Sequence, residues 1–248
     1  MSGHSKWSSI KHKKGAADAK RGKLFTKLVK EIIVAAKEGG GDQETNPRLR
    51  LAVSTAKAAN MPNSNIDKAV KKGTGELEGV SYESYTYEGY GQNGVAVIVE
   101  TLTDNKQRTV ADVRHTFSKH GGNLAENGSV SWIFEQKGLI EIQKDDLDED
   151  EVMMAALDAG AEDFSSDNDY FEIYTEYSSL HSVLKKLEET KYKIEKAELI
   201  RLPKNTINAD NVAEKLLKLL DQLEDLDDVQ KVYANFEISD EVMDRLSQ

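Results

Sequence analysis

The sequence has 248 residues, 38% apolar and 31% charged, with a formal net charge of −11, a balance that fits a globular chain of one large or two to three smaller domains rather than a disordered one. It contains no cysteine, which excludes a disulfide framework and a thiolate zinc site and suits a reducing compartment, so the expected location is the cytoplasm. Its longest apolar runs, such as VAVIV at 95–99, are too short to span a membrane, and the first residues hold no apolar signal core.

The charge is unevenly placed. Residues 1–72 hold 13 Lys and 3 Arg against 6 Asp or Glu, a net +10; the remainder holds 17 basic against 38 acidic residues, a net −21. A polyanion is drawn to the first third and repelled by the rest, which restricts how it docks. The chain opens with a basic arm, GHSKWSSIKHKK. From Ala16 to Lys37 a helical period puts Leu24, Phe25, Leu28, Val29, Ile32 and Ala36 on one broad face, and Lys20, Lys23, Lys27, Lys30 and Lys37 on the opposite arc. GGG at 39–41 stops it. Asn46-Pro47 starts a second helix, with Leu49, Val53 and Ala56 inward, and a third is expected over 64–72 before Gly73.

Beyond the linker GTGELEG the period changes to two. SYESYTYEGY (81–90), GQNG (91–94) and VAVIVET (95–101) read as strand, turn and strand. A helix follows over 103–120, then a strand at VSWIFE (130–135). Within 138–197 the expected order is strand, helix, strand, strand, helix, strand, a ferredoxin-like unit. The segments around it repeat that order, with strands at 95–101, 130–135, 198–202 and 229–236. The fold class expected is therefore α+β: an N-terminal three-helix bundle and two ferredoxin-like βαββαβ domains, the third domain inserted in the second. The boundaries are 1–78 for arm and bundle, 79–136 with 198–248 for the second domain, and 137–197 for the insert.

Lysines neutralise phosphates without reading sequence, so a mobile basic arm leading into a lysine-striped helix points to nucleic acid. The residues expected to make these contacts are Lys6, Trp7, Lys11, His12, Lys13, Lys14, Lys20, Arg21, Lys23, Lys27 and Lys30. Trp7 either stacks on an unpaired base or pins the arm to the bundle. Arg108 either grips a phosphate from the 103–120 helix or pairs with Asp112 four residues on. GYGQNG (89–94) has the spacing of a dinucleotide fingerprint, but it leads into a strand and not a helix, so its glycines serve a turn. The acid-rich DQLEDLDD (221–228) lacks calcium-loop spacing and reads as a solvated helix end. No P-loop, nucleophile elbow or HExxH occurs, so the chain reads as a non-enzyme with no cofactor, no metal and no small-molecule substrate.

Several stretches together carry a family resemblance: GHSKW (3–7), DAKRGKLFTKL (18–28), NPRLR (46–50), NMP (60–62), YEGYG (87–91), RTVADVRH (108–115), GGNL (121–124) and GSVSWIF (128–134). In this order they resemble the YebC family, also called PmpR, whose mitochondrial relative activates translation of cytochrome oxidase subunit I. The resemblance implies a cytoplasmic three-domain protein acting in gene expression. Its members are described either as DNA-binding transcriptional regulators or as ribosome-associated translation factors that relieve stalling at proline-rich nascent sequences. The expected partner is accordingly DNA or ribosomal RNA, the latter with the ribosome, and no membrane. Two turns depart from the family pattern: Ala125 stands where glycine usually follows GGNL, and Gln92-Asn93 replace a loop that often contains proline.

Overall fold

In the computed structural model, which describes residues 17–166 and 169–247, three helices open the fold: α1 (Ala17–Gly39), α2 (Pro47–Ala58) and α3 (Asn63–Gly73). Asn46 joins the first two. Its side-chain oxygen accepts the Leu49 N–H at 3.0 Å, starting α2, while its amide donates to the Ala35 and Gly40 carbonyls at 2.8 Å each, closing the end of α1. Ile32 to Ala36 are all buried, so α1 is covered all round over this stretch and not only on one stripe, before Lys37, Glu38 and Gly39 emerge at its end. Leu24, placed by periodicity on the apolar face, lies 45% exposed and outside the buried cluster of the bundle, which begins with Phe25 and Leu28. Gly73 is required where α3 meets α1, since a Cβ there would lie 2.5 Å from the Ile33 carbonyl oxygen.

The second domain begins with β1 (Glu83–Tyr90) and β2 (Ala96–Thr103), antiparallel from Glu83↔Thr103 to Tyr90↔Ala96. Asn93 and Gly94 turn the chain with φ of 59° and 74°, the left-handed region the GQNG turn supplies. Then come α4 (Lys106–Lys119) and β3 (Asn123–Leu124). The insert follows as β4 (Phe134–Gln143), α5 (Glu149–Ala159), β5 (Asp163–Ser166), β6 (Tyr170–Glu176), α6 (Leu180–Glu188) and β7 (Ile194–Pro203). Its sheet runs β5-β6-β4-β7, the ferredoxin-like arrangement. The chain returns to the second domain through β8 (Ile207–Asn208), α7 (Ala213–Glu224), β9 (Val229–Ala234), β10 (Phe236–Glu237) and α8 (Asp240–Ser247). There β9 pairs with β2 to complete the sheet β3-β1-β2-β9.

The α+β class and the insertion are as the sequence predicts; the strands used by the second domain differ. Ser131–Ile133 forms a 3₁₀ turn, so of the strand expected at 130–135 only Phe134 and Glu135 are extended, as the start of β4, and the strand expected at 198–202 is part of β7. These two ten-residue strands pair from Phe134↔Pro203 to Ile142↔Ile194, so their outer ends extend the inserted sheet and do not start another. The second domain draws on β1 instead. Helices α4 and α7 cover one face of its sheet around Val97, Val99, Phe117, Leu216 and Leu219. The other face holds Ile98, Val130, Ile133, Phe134 and Tyr233. Two polar ties join the sheets: Lys231 to Glu198 at 2.6 Å and Arg201 to Glu100 at 2.7 Å.

Glu88 faces inward on β1 and is buried. Its carboxylate accepts the N–H groups of Gly128, Val130 and Ser131 at 2.8, 2.7 and 2.9 Å. Burial alone would raise its pKa, but these bonds to the charged form hold it below the usual carboxylate value. The loop so gripped carries Trp132, 66% exposed, with its indole N–H donating to the Ser129 carbonyl at 3.0 Å. Among the described residues, no helix is long and apolar enough to cross a membrane.

Candidate nucleic-acid interface

Lys23, Lys27 and Lys30 recur at i, i+4 and i+7 and so share one face of α1. That face is occupied. Lys23 donates to the Asp225 carbonyl at 3.2 Å and lies 3.4 Å from its carboxylate; Lys27 donates to the Glu224 carbonyl at 2.9 Å; Lys30 donates to the Asp227 carbonyl at 2.9 Å and to the Asp228 carboxylate at 2.8 Å. These oxygens lie at the C-terminal end of α7 and the turn after it. There unsatisfied carbonyls and the negative end of the helix dipole already favour cations. The DQLEDLDD segment, expected as a solvated helix end, is instead the lysine stripe's partner.

Asp228 is the centre of the contact and is buried. Its second oxygen accepts from Arg108 at 2.7 Å, Thr109 at 2.8 Å and Thr103 at 3.1 Å. Burial would raise its pKa, but hydrogen bonds from Lys30, Arg108 and Thr109 outweigh that and bring it to about 2. Arg108 also bonds Asp104 at 2.8 Å. Its i,i+4 partner lies one turn before it, and the expected pairing with Asp112 is replaced. Asn105 fixes this corner by capping α4, accepting the Arg108 N–H at 3.1 Å. Tyr82 presents its ring 5.3 Å from the Lys30 ammonium. Between α1 and α4 an open cleft of about 870 Å³ remains, lined by Lys23, Lys27, Tyr82, Arg108 and Asp112 among others.

Of the residues expected to contact nucleic acid, Lys6, Trp7, Lys11, His12, Lys13 and Lys14 lie outside the described residues. Lys20 belongs to α1, and Arg21 is exposed on it. Lys23 is half exposed and Lys27 partly buried, whereas Lys30, at 6% exposure, is committed to Asp228 in this conformation and cannot meet a phosphate without leaving it. Arg108 joins the same cluster. Thr103, Thr109 and Asp228 escape sequence reading because two ends of the cluster lie about 200 residues apart. The one available signal is that DLDD carries its acids at a helix end, where they are unfavourable unless something cationic faces them.

Because Asp228 has a lowered pKa when folded, its contribution to stability is full above its unfolded value, roughly 4, and is lost as pH falls toward about 2. We expect Asp228→Asn to flatten the acid limb of the stability curve between these limits, read by urea unfolding at stepped pH. An acid limb parallel to that of the unaltered chain would show that this carboxylate is not linked to folding.

Comparison with known proteins places the whole chain. Residues 5–76 match the family model described as TACO1/YebC protein N-terminal domain, and residues 82–236 match TACO1/YebC second and third domain. A probable transcriptional regulatory protein of Persephonella marina is 58% identical over 250 residues, covering 100% of both chains. One of Thermotoga maritima is 56% identical over 248 residues, covering 99% of this chain and 98% of that protein. The crystal structure of a conserved hypothetical protein from Aquifex aeolicus superposes with a TM-score of 0.86 at 51% identity, covering 93% of this chain and 96% of that one.

Proposed function

This chain belongs to the TACO1/YebC family, and from that membership we propose that it regulates gene expression in the cytoplasm by binding nucleic acid, without catalysing a reaction. The observation that carries the reading is the separation of charge, +10 through residue 72 and −21 beyond it. The names of its relatives as probable transcriptional regulatory proteins support it. In this reading Lys6, Lys11, Lys13, Lys14, Lys20 and Arg21 make the leading phosphate contacts, with His12 beside them and Trp7 available to stack on an unpaired base. Lys68, Lys71 and Lys72, exposed at i, i+3 and i+4 on α3, extend the positive surface.

DNA is the partner the relatives' names suggest. A second reading, ribosomal RNA bound by a translation factor, is favoured by the composition of the surface. Lysines neutralise phosphates, whereas readout of a DNA groove draws on Arg, Asn and Gln at base edges, which the basic face of α1 lacks almost entirely. Sedimentation of cell lysate separates the two. Co-migration with ribosomes that persists after DNase supports translation, loss after DNase supports transcription, and migration as the free protein at low salt under all treatments would overturn both.

A further inference from the structure

We infer that residues 224–228, the acidic end of α7 and its turn, act as an internal stand-in for a phosphate backbone, covering the lysine face of α1 until an external polyanion displaces them. This rests on the reading of the chain as a nucleic-acid binder and concerns how that face is regulated. Three ammonium groups of one helix face meet three carbonyl oxygens and two carboxylates of one five-residue segment. That is the chemistry a phosphate strand would offer them: successive anionic oxygens along an extended line.

The contact is graded along α1. At its N-terminal end the Lys23 and Asp225 side chains are 51% and 60% exposed, whereas at the other the Lys30 and Asp228 side chains are 8% exposed each. Exposed ion pairs in water contribute little, so the latch is weakest next to Arg21 and the basic arm, where a bound polyanion would arrive. The cleft of about 870 Å³ beside it gives entry. Release of Lys30 strands no charge, because Asp228 keeps Arg108, Thr103 and Thr109. The closed form thus screens part of the basic surface, and a strand long enough to run from the arm onto α1 opens it.

The test is a salt titration of binding to a short single-stranded RNA and a short DNA duplex, using the full chain. Asp228→Asn is expected to raise affinity about five- to tenfold and to steepen the log–log salt slope by roughly 2 to 3, as further lysines reach phosphates at about 0.9 per contact. Asp225→Asn, at a site whose side chain is 60% exposed, should move both in the same direction by less. Asp112→Asn removes a charge from the same cleft without touching the latch and should leave the slope unaltered. The absence of cysteine also permits spin labels at Ser54→Cys on α2 and Ser118→Cys on α4, both exposed, whose separation should lengthen on saturation with RNA. Binding with unaltered slopes in both latch variants and an unaltered label distance overturns the latch alone. No binding by the unaltered chain overturns the nucleic-acid reading and the latch with it.

Discussion

Glu88→Ala is expected to lower the free energy of unfolding by about 3–5 kcal/mol, because it orphans three backbone N–H groups at once and each unsatisfied group costs about 1–3 kcal/mol when water reaches it poorly. The Val130 N–H has least access to solvent, since Val130 is fully buried; Gly128 and Ser131 lie nearer the surface and recover part of the loss. Glu88→Gln keeps the volume but turns an amide NH₂ toward donors, so about half the loss is expected to remain. Urea unfolding measures both. The local consequence is readable separately in a Trp7→Phe background, where Trp132 is the remaining tryptophan. Its emission should change before the main transition as the loop frees itself from β1. A loss below about 1 kcal/mol for Glu88→Ala would mean that water replaces the carboxylate and that the loop does not depend on it.

Deleting residues 2–14 is expected to reduce affinity for RNA or DNA on the order of a hundredfold or more at moderate salt and to lower the salt slope by roughly 3–4, since four lysines go with it. Trp7→Ala alone separates the two roles left open for that ring. Stacking predicts a loss of about 1–3 kcal/mol in binding with the salt slope kept, whereas pinning the arm predicts a stability loss instead. If Trp7 stacks on a base, the unfolding curve of the deleted chain should match that of the intact one; if it pins the arm, the deletion should show the same stability loss as Trp7→Ala. Replacing Lys23, Lys27 and Lys30 by Glu is a poorer test, because the new carboxylates would face the carbonyl end of α7 and Asp228. That variant would separate domains as well as remove phosphate contacts. Unchanged affinity after the deletion would overturn the role of the arm.

Local rules made much of the fold legible. Asn46-Pro47 specifies a cap that the structure realises bond for bond, and GQNG supplies the two left-handed residues its hairpin needs. Helix α5 follows from its period and the Asp148 cap. What escaped were features decided by partners distant in sequence. VSWIFE alternates well enough to be a strand, yet Glu88 draws the N–H groups of Val130 and Ser131 away from any neighbouring strand, and a 3₁₀ turn results. Glu88 itself was detectable: in the alternation of β1 it shares a face with Tyr90, toward the core. Lys23, Lys27 and Lys30 share the face that helical periodicity gives them, but periodicity says nothing of what meets that face. Arg108 shows the same limit, since both Asp104 and Asp112 stand four residues from it, and only Asp228 from the far end of the chain selects the first.

The side-by-side departure and return of β4 and β7 bears on the order in which the protein is made. Strands β2 and β9 are neighbours in one sheet, but β9 leaves the ribosome only after about 125 further residues have been added. Until then the second domain has three of its four strands, and α4 lacks the helix it packs beside. The insert, complete by Pro203, has every strand of its own sheet already synthesised and is expected to fold before its host domain, out of the N-to-C order usual for domains. Once folded it holds Phe134 next to Pro203, so the loop that must close between β2 and β9 shortens to about half, lowering its entropic cost by something under about 1 kcal/mol. The inserted domain thus acts as a built-in clasp for the assembly of its host.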